Sequence, residues 1–180
     1  MRYSWLQGSA DSPFQRAGAQ VDVGLDSRGT LKVCPSAINP NCYGTNARSP
    51  EQVAPIWTAP EELSAAQCAD RITSTAQASL AGADVEERQE LSDGSRYVRL
   101  GVDGKWARDV VEVLVRVPEA DGAGCLVAYR SINGLVKYQY PLQTARRDGG
   151  AQKERMESLR QRLGWRLRNY SDAEEYFSSY

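Results

Sequence analysis

The chain has 180 residues, 41% hydrophobic and 25% charged, which suits one globular domain with a core of Val, Leu, Ile and aromatic side chains. A net charge of −1 excludes a nucleic-acid binder working through bulk electrostatics, because that mode needs Lys and Arg massed against phosphates. The chain contains no histidine, which excludes Ser-His-Asp and Cys-His catalysis and His-based zinc chemistry.

Residues 1–33 are rich in Gly, Ser, Asp and Gln without sustained periodicity, and read as a loosely held N-terminal arm with one short strand near Leu31–Val33. The opening MRYSWLQGSADSPFQRAG has the look of an arbitrary start, as if a targeting segment had been removed upstream. No stretch approaches the roughly 18 apolar residues that a membrane-spanning helix needs, so no transmembrane segment is expected; peripheral membrane association stays open. The next stretch, CPSAINPNCYGTNARSP, carries three prolines and three asparagines and reads as a compact irregular loop.

Four cysteines stand at positions 34, 42, 68 and 125, with no C-x-x-C spacing, so neither a metal site nor a cofactor is expected. A Cys34–Cys42 disulfide would close a short loop and persist only in an oxidising compartment; two free thiols are the alternative.

A helix is predicted from near Pro60 to Leu80, with Thr58 as a candidate N-cap and Gly82 beyond its end. Ala65, Ala69, Ile72, Ala76 and Leu80 recur at helical spacing, giving a narrow stripe of small residues suited to lying close against a sheet. Strands at Tyr97–Val102, Val110–Val117 and Cys125–Ser131, separated by Asp-Gly-type turns, imply an antiparallel meander; a run at Val85–Leu91 before them is the weakest, since Glu86, Glu87 and Glu90 suit only an exposed face. Val110–Val117 is nearly continuous in Val and Leu, which places it centrally. Residues 132–147 alternate apolar and aromatic side chains up to Tyr140-Pro141 and suggest an added edge strand. A last helix begins near Asp148-Gly149-Gly150, with Asp148 placed to cap exposed amides, and stops at Gly164. Residues 169–180 form a polar, aromatic tail. The order predicts a single α+β domain over 34–168: a small antiparallel sheet of three to four strands with two helices packed on one face.

Charge is unevenly distributed. Residues 129–168 hold ten basic and three acidic side chains, whereas residues 1–128 hold twelve and seventeen. A solvated helix face is the plain explanation, and contact with an anionic partner is the functional one.

Several separated segments share an order with one family. Cys34 and Asn39-Pro40-Asn41-Cys42 come first, then Ala54-Pro55, Asp109-Val110-Val111-Glu112-Val113, Arg130-Ser131, and Asp148-Gly149-Gly150-Ala151-Gln152-Lys153-Glu154-Arg155. From about Cys34 to Trp165 the chain thereby resembles the family numbered 1499 among the domains of unknown function. Val110 stands where that pattern has a second acid, Val113 where it has an aromatic residue, and Gln152 where it has Asn. The stretch YRSINGLVKYQYPL is longer than the bacterial counterpart and looks like the version found in photosynthetic eukaryotes. The resemblance therefore implies a plastid location, with the thylakoid lumen as the candidate compartment, and carries no reaction.

Candidate site residues follow. Arg130, Ser131, Asp148, Gly149, Gly150, Gln152, Arg155, Asp109 and Glu112 read either as a polar network pinning the last helix to the sheet or as an anion pocket. Asp109 and Glu112 lie three apart on a strand and point to opposite faces, so they do not make an acid/base pair. Lys137, Tyr138, Tyr140, Arg146 and Arg147 are candidate partner contacts. The leading expectation is a non-catalytic binding or assembly protein that contacts a larger, photosynthetic protein complex or a small amphiphilic or anionic ligand. The alternatives are an enzyme holding a small anionic substrate between Arg130 and Arg155, and a lipid-binding groove beneath the first helix.

Overall fold

The apolar run at Val111–Val115 forms the middle of an antiparallel sheet. The computed structural model describes residues 21–35, 37–117, 124–139 and 144–168. Within it the meander consists of β3 (Asp84–Glu90), β4 (Arg96–Asp103), β5 (Arg108–Arg116) and β6 (Leu126–Ile132), paired in that order. Three short strands that the sequence did not announce enlarge it to seven: β1 (Cys42–Gly44), β2 (Trp57–Thr58) and β9 (Arg166–Leu167). β6 is the hub. One of its edges is taken by β5; the other is shared, with β1 opposite Arg130–Ile132 and β2 opposite Leu126–Val127. β9 then pairs with β2.

The expectation of three to four strands thus falls short. The reason is that a two- or three-residue strand gains its ladder from a preformed neighbour, and leaves too little periodicity to read in advance. The expected edge strand in 132–147 is instead a separate ribbon of β7 (Tyr138–Gln139) and β8 (Thr144–Ala145); Tyr140 and Pro141 lie outside the described residues. The strand expected at Leu31–Val33 is a single bridge from Leu31 to Leu25.

The first helix, α1 (Ala65–Ser79), starts later than its proline suggested, and Thr58 belongs to β2. Ser64 caps it: the Ser64 side chain accepts from the Gln67 amide while the Gln67 side chain accepts from the Ser64 amide. This reciprocal capping box satisfies two otherwise orphaned donors and outcompetes a start at Pro60. The second helix, α2 (Ala151–Leu163), follows Gly150, which sits at φ 92°, and ends at Gly164 with φ 70°. Both conformations are left-handed, the region where glycine carries no Cβ penalty.

Alternation along the strands sorts the side chains into two faces. Val98, Leu100, Val102, Val111, Val113, Val115, Val127 and Tyr129 join Ile72 and Ala76 of α1 and Met156 and Leu159 of α2 in the main core. Tyr97, Leu114 and Ala128 face the other way and are covered by Leu31. Residues 21–33 are bound to that second face: Arg116 donates to the Gly29 carbonyl at 2.9 Å, and Asn46 to the Leu31 carbonyl at 2.6 Å. Trp57, Tyr129 and Trp165 make the aromatic end of the main core, with ring centroids 4.3 and 6.5 Å apart. Trp165 and Tyr129 are both buried there.

Ile72 is the largest α1 side chain in this core and is fully buried. Ile72→Ala is expected to cost about 2–5 kcal/mol in urea denaturation. Arg88→Ala breaks only an exposed pair with Asp70 and is expected to cost less than about 1 kcal/mol. Equal costs would contradict the packing described.

Candidate functional site

The β5–β6 register sets Glu112 directly opposite Arg130, and both are essentially excluded from solvent. The Arg130 guanidinium donates through Nε to Glu112 Oε2 at 2.7 Å and through a second nitrogen to the same oxygen. Its remaining donors go to the carbonyls of Val33, at 3.2 Å, and Asp22, at 2.8 Å. Glu112 Oε1 accepts from the Tyr97 hydroxyl at 2.7 Å and from the Gly24 amide. A buried charge is tolerated only when paired and hydrogen-bonded, and this pair meets that condition by recruiting the N-terminal segment.

A second network lies on the opposite face. Arg155 of α2 donates to Asp109 at 2.9 Å, Ser131 at 3.1 Å, Gln152 at 2.6 Å and the Asp103 carbonyl at 3.1 Å. Gln152 donates to Asp109 and Asp148 at 2.9 and 3.0 Å and accepts from the Ser131 hydroxyl at 2.7 Å. Asp148 also accepts from the Gly150 amide at 2.9 Å, where negative charge offsets the helix dipole. Asn41, which the sequence reading took only as part of a loop motif, ties the network to β1. It accepts from the Asp148 amide and donates to the Arg146 carbonyl. The signal for its role was present in Asn39-Pro40-Asn41, but nothing local revealed a partner over a hundred residues away.

Cys34 and Cys42 form a disulfide beside this corner, in a small cluster with Ala47 and Ile132. A cleft of about 330 Å³ opens at the start of α2. Gly149, Gly150, Arg147 and Lys153 line it, together with Tyr43 and Glu51. Lys137, Arg146 and Arg147 are exposed, and Arg147 pairs with Glu51 at 2.6 Å on the surface. Tyr138 donates to the Ile38 carbonyl at 3.0 Å.

No protein-family model matches the chain, and no solved structure matches it. Over 148 residues, 81% of this chain, it is 34% identical to the Thylakoid lumenal 17.9 kDa protein, chloroplastic, of Arabidopsis thaliana. The chain is similar to a thylakoid lumenal protein. It spans 60% of that relative's length. The similarity supports a plastid location, with the thylakoid lumen as the compartment that the relative's name gives. A lumenal location is compatible with the Cys34–Cys42 disulfide, which an oxidising compartment preserves.

Two expectations are corrected by the geometry. Arg130 and Arg155 cannot clamp one substrate, because adjacent positions on β6 face opposite ways: Arg130 joins Glu112 on the arm-covered face, while Ser131 meets Arg155 on the helix face. Each guanidinium is already occupied by a carboxylate. Nor does a lipid groove run beneath α1 among the described residues. Ile72, Ala76, Leu100, Val111 and Val113 fill that space, and the small cleft beside the helix is open and mixed, with Asp70, Arg88, Glu90 and Arg96 standing beside Ala66, Ala69 and Val98.

Removing one partner of the buried pair strands the other charge. Glu112→Ala and Arg130→Ala are each expected to destabilise by about 3–5 kcal/mol, whereas Glu112→Leu with Arg130→Met recovers most of the loss. Chemical denaturation of the three variants decides this; a double variant worse than both singles would refute the assignment.

Burial, reinforced by the Glu112 carboxylate, pushes the Tyr97 phenol up from its ordinary value, and burial does the same to Tyr129. A raised folded-state value means that stability is fully present below the unfolded phenol value of about 10 and is lost as pH rises beyond it. Unfolding free energy should therefore fall above about pH 10, less steeply in Tyr97→Phe. A phenolate titration of the folded protein in which every tyrosine ionises normally would contradict this.

Proposed function

We propose that this chain is a non-catalytic binding or assembly protein of the thylakoid, and that it contacts an acidic surface of a larger protein complex through the β7–β8 ribbon and the start of α2. One observation carries the reading: Arg130 and Arg155 are paired with Glu112 and Asp109, while Lys137, Arg146, Arg147 and Lys153 stand exposed around one corner. Groups committed to neutral, solvent-excluded pairs are poor acids, bases or clamps. Exposed Lys and Arg are free to steer an oppositely charged partner. The surface pair of Arg147 and Glu51 holds little energy in water and exchanges readily for a partner's carboxylate. The family resemblance carried by Cys34, Arg130-Ser131 and the Asp148–Arg155 segment belongs to this reading and adds no reaction.

A small anionic ligand in the cleft is the second reading, supported by the Gly149-Gly150 turn before a helix N-terminus. The cleft wall balances Arg147 and Lys153 against Glu51 and Asp148, and the Asp148 carboxylate already occupies the Gly150 amide. That balance favours the protein surface over the free anion.

The test is a charge-reversal triple, Lys137→Glu, Arg146→Glu and Arg147→Glu, used as bait in native thylakoid extract. Capture should fall about tenfold or more, and wild-type capture should weaken as salt rises. Salt-insensitive capture, or a triple variant that recovers the same proteins equally, would overturn the proposal.

A further inference from the structure

The Cys34–Cys42 disulfide stands outside the main core, in the small cluster beside Ile132. Its cysteines are eight residues apart, so what it constrains directly is the loop between them and whatever leans on that loop. Residues 35–41 carry neither helix nor strand among the described ones. The basic corner leans on them. The Tyr138 hydroxyl of β7 donates to the Ile38 carbonyl at 3.0 Å. Asn39 donates to the Asn133 carbonyl at 2.8 Å, just past the end of β6. Asn41 donates to the Arg146 carbonyl at 2.8 Å and accepts from the Asp148 amide at 2.9 Å. One side chain of the loop thereby positions both a corner arginine and the turn into α2.

The two ends of the loop have other anchors. Cys42 pairs with Ile132 in the β1–β6 ladder, and the Val33 carbonyl beside Cys34 accepts from Arg130. Opening the disulfide therefore frees the loop and leaves its flanks and the sheet in place. Cys42 also borders the cleft at the start of α2, which gives a thiol a way to a bond whose two residues are otherwise buried.

We propose that the Cys34–Cys42 disulfide is a redox switch for the basic corner: oxidised, it holds the loop on which the corner stands; reduced by a dithiol, it lets the corner loosen and release an acidic partner. The inference rests on that corner being the contact surface proposed above. A thiolate of the dithiol attacks Cys42, breaking the disulfide and expelling Cys34 as a thiolate. The second thiolate of the reductant then attacks its own partner sulfur in the mixed disulfide and expels Cys42. The two electrons and two protons that turn the cysteines into thiols come from the dithiol, which leaves as a disulfide.

The experiment treats the purified full chain with dithiothreitol under native conditions. Samples are quenched in acid, denatured and alkylated, and peptide masses show which cysteines were reduced. Hydrogen exchange then compares the two states. Cys34 and Cys42 should both become alkylatable, and exchange at the Asn41, Arg146 and Asp148 amides should quicken about tenfold or more, while β5 and β6 amides change less than about twofold. Oxidised glutathione should restore the protection, and Cys34→Ala with Cys42→Ala should match the reduced chain. Capture of thylakoid proteins should fall on reduction and return on reoxidation. The switch is overturned if the bond survives dithiothreitol in the folded chain, or if the corner amides exchange alike in both states. It is overturned equally if the β5 amides quicken with them, which would make the bond a staple of the fold. Salt-sensitive capture that is equal in both redox states would sink the switch and leave the contact reading standing. Oxidised protein that captures nothing would sink the contact reading, while the exchange difference would still uphold redox control of the corner.

Discussion

The buried pair of Glu112 and Arg130 is the constraint around which this chain is arranged. Two opposite charges set face to face on neighbouring strands, with solvent excluded, must find partners for every remaining donor and lone pair, or the fold loses several kcal/mol. The strands themselves cannot supply those partners, since their amides and carbonyls are used in the ladder. Tyr97 comes from the next strand, and the carbonyls of Asp22 and Val33 and the Gly24 amide come from the N-terminal segment. The sheet's second face thus acquires its cover for electrostatic reasons as much as hydrophobic ones. Leu31 alone is a small apolar anchor, and it closes over a face whose centre is an ion pair.

The helix side repeats the logic with different chemistry. Asp109 and Ser131 point from β5 and β6 toward α2, where Arg155 and Gln152 meet them, and Asp148 joins from the turn before the helix. One strand pair therefore carries two polar pins on opposite faces, and the one-residue alternation of a strand keeps them apart. The positions adjacent in sequence, Arg130 and Ser131, belong to different layers of the molecule. A helix as polar as α2, with only Gln152, Met156 and Leu159 fully buried, gains its position from that network as well as from the core.

The parts legible in the sequence were those with long or repeated signals. Three strands of the meander read clearly because apolar runs recur between Asp-Gly turns; β3 did not, because Glu86, Glu87 and Glu90 break its apolar pattern. α2 was located by its glycines at both ends, whose left-handed conformations are where an L side chain is strained. The start of α1 was misplaced because a proline competes with the Ser64–Gln67 capping box, and two reciprocal hydrogen bonds decide the matter. β1, β2 and β9 were illegible for a different reason: each owes its strand conformation to β6 or to a strand already on it. In the candidate site, the residue types were readable but their sorting into two faces was not fully drawn. Alternation separated Asp109 from Glu112, and the same rule applied to Arg130 and Ser131 separates the two arginines.

That separation bears on what kind of protein this is. Catalytic groups are held ready by leaving some of their hydrogen-bonding capacity unspent in a site that a substrate can enter. Here the acids and arginines nearest the sheet spend theirs on one another and on backbone, while six of the ten basic side chains of residues 129–168 fall into two sets. Arg130 and Arg155 go inward as structural cations. Lys137, Arg146, Arg147 and Lys153 go outward, at the ribbon and at the helix start. The inward set fixes where α2 begins, and so fixes the corner on which the outward set is displayed. Weakening Arg155 or Asp148 would therefore alter the basic surface without touching any of its residues.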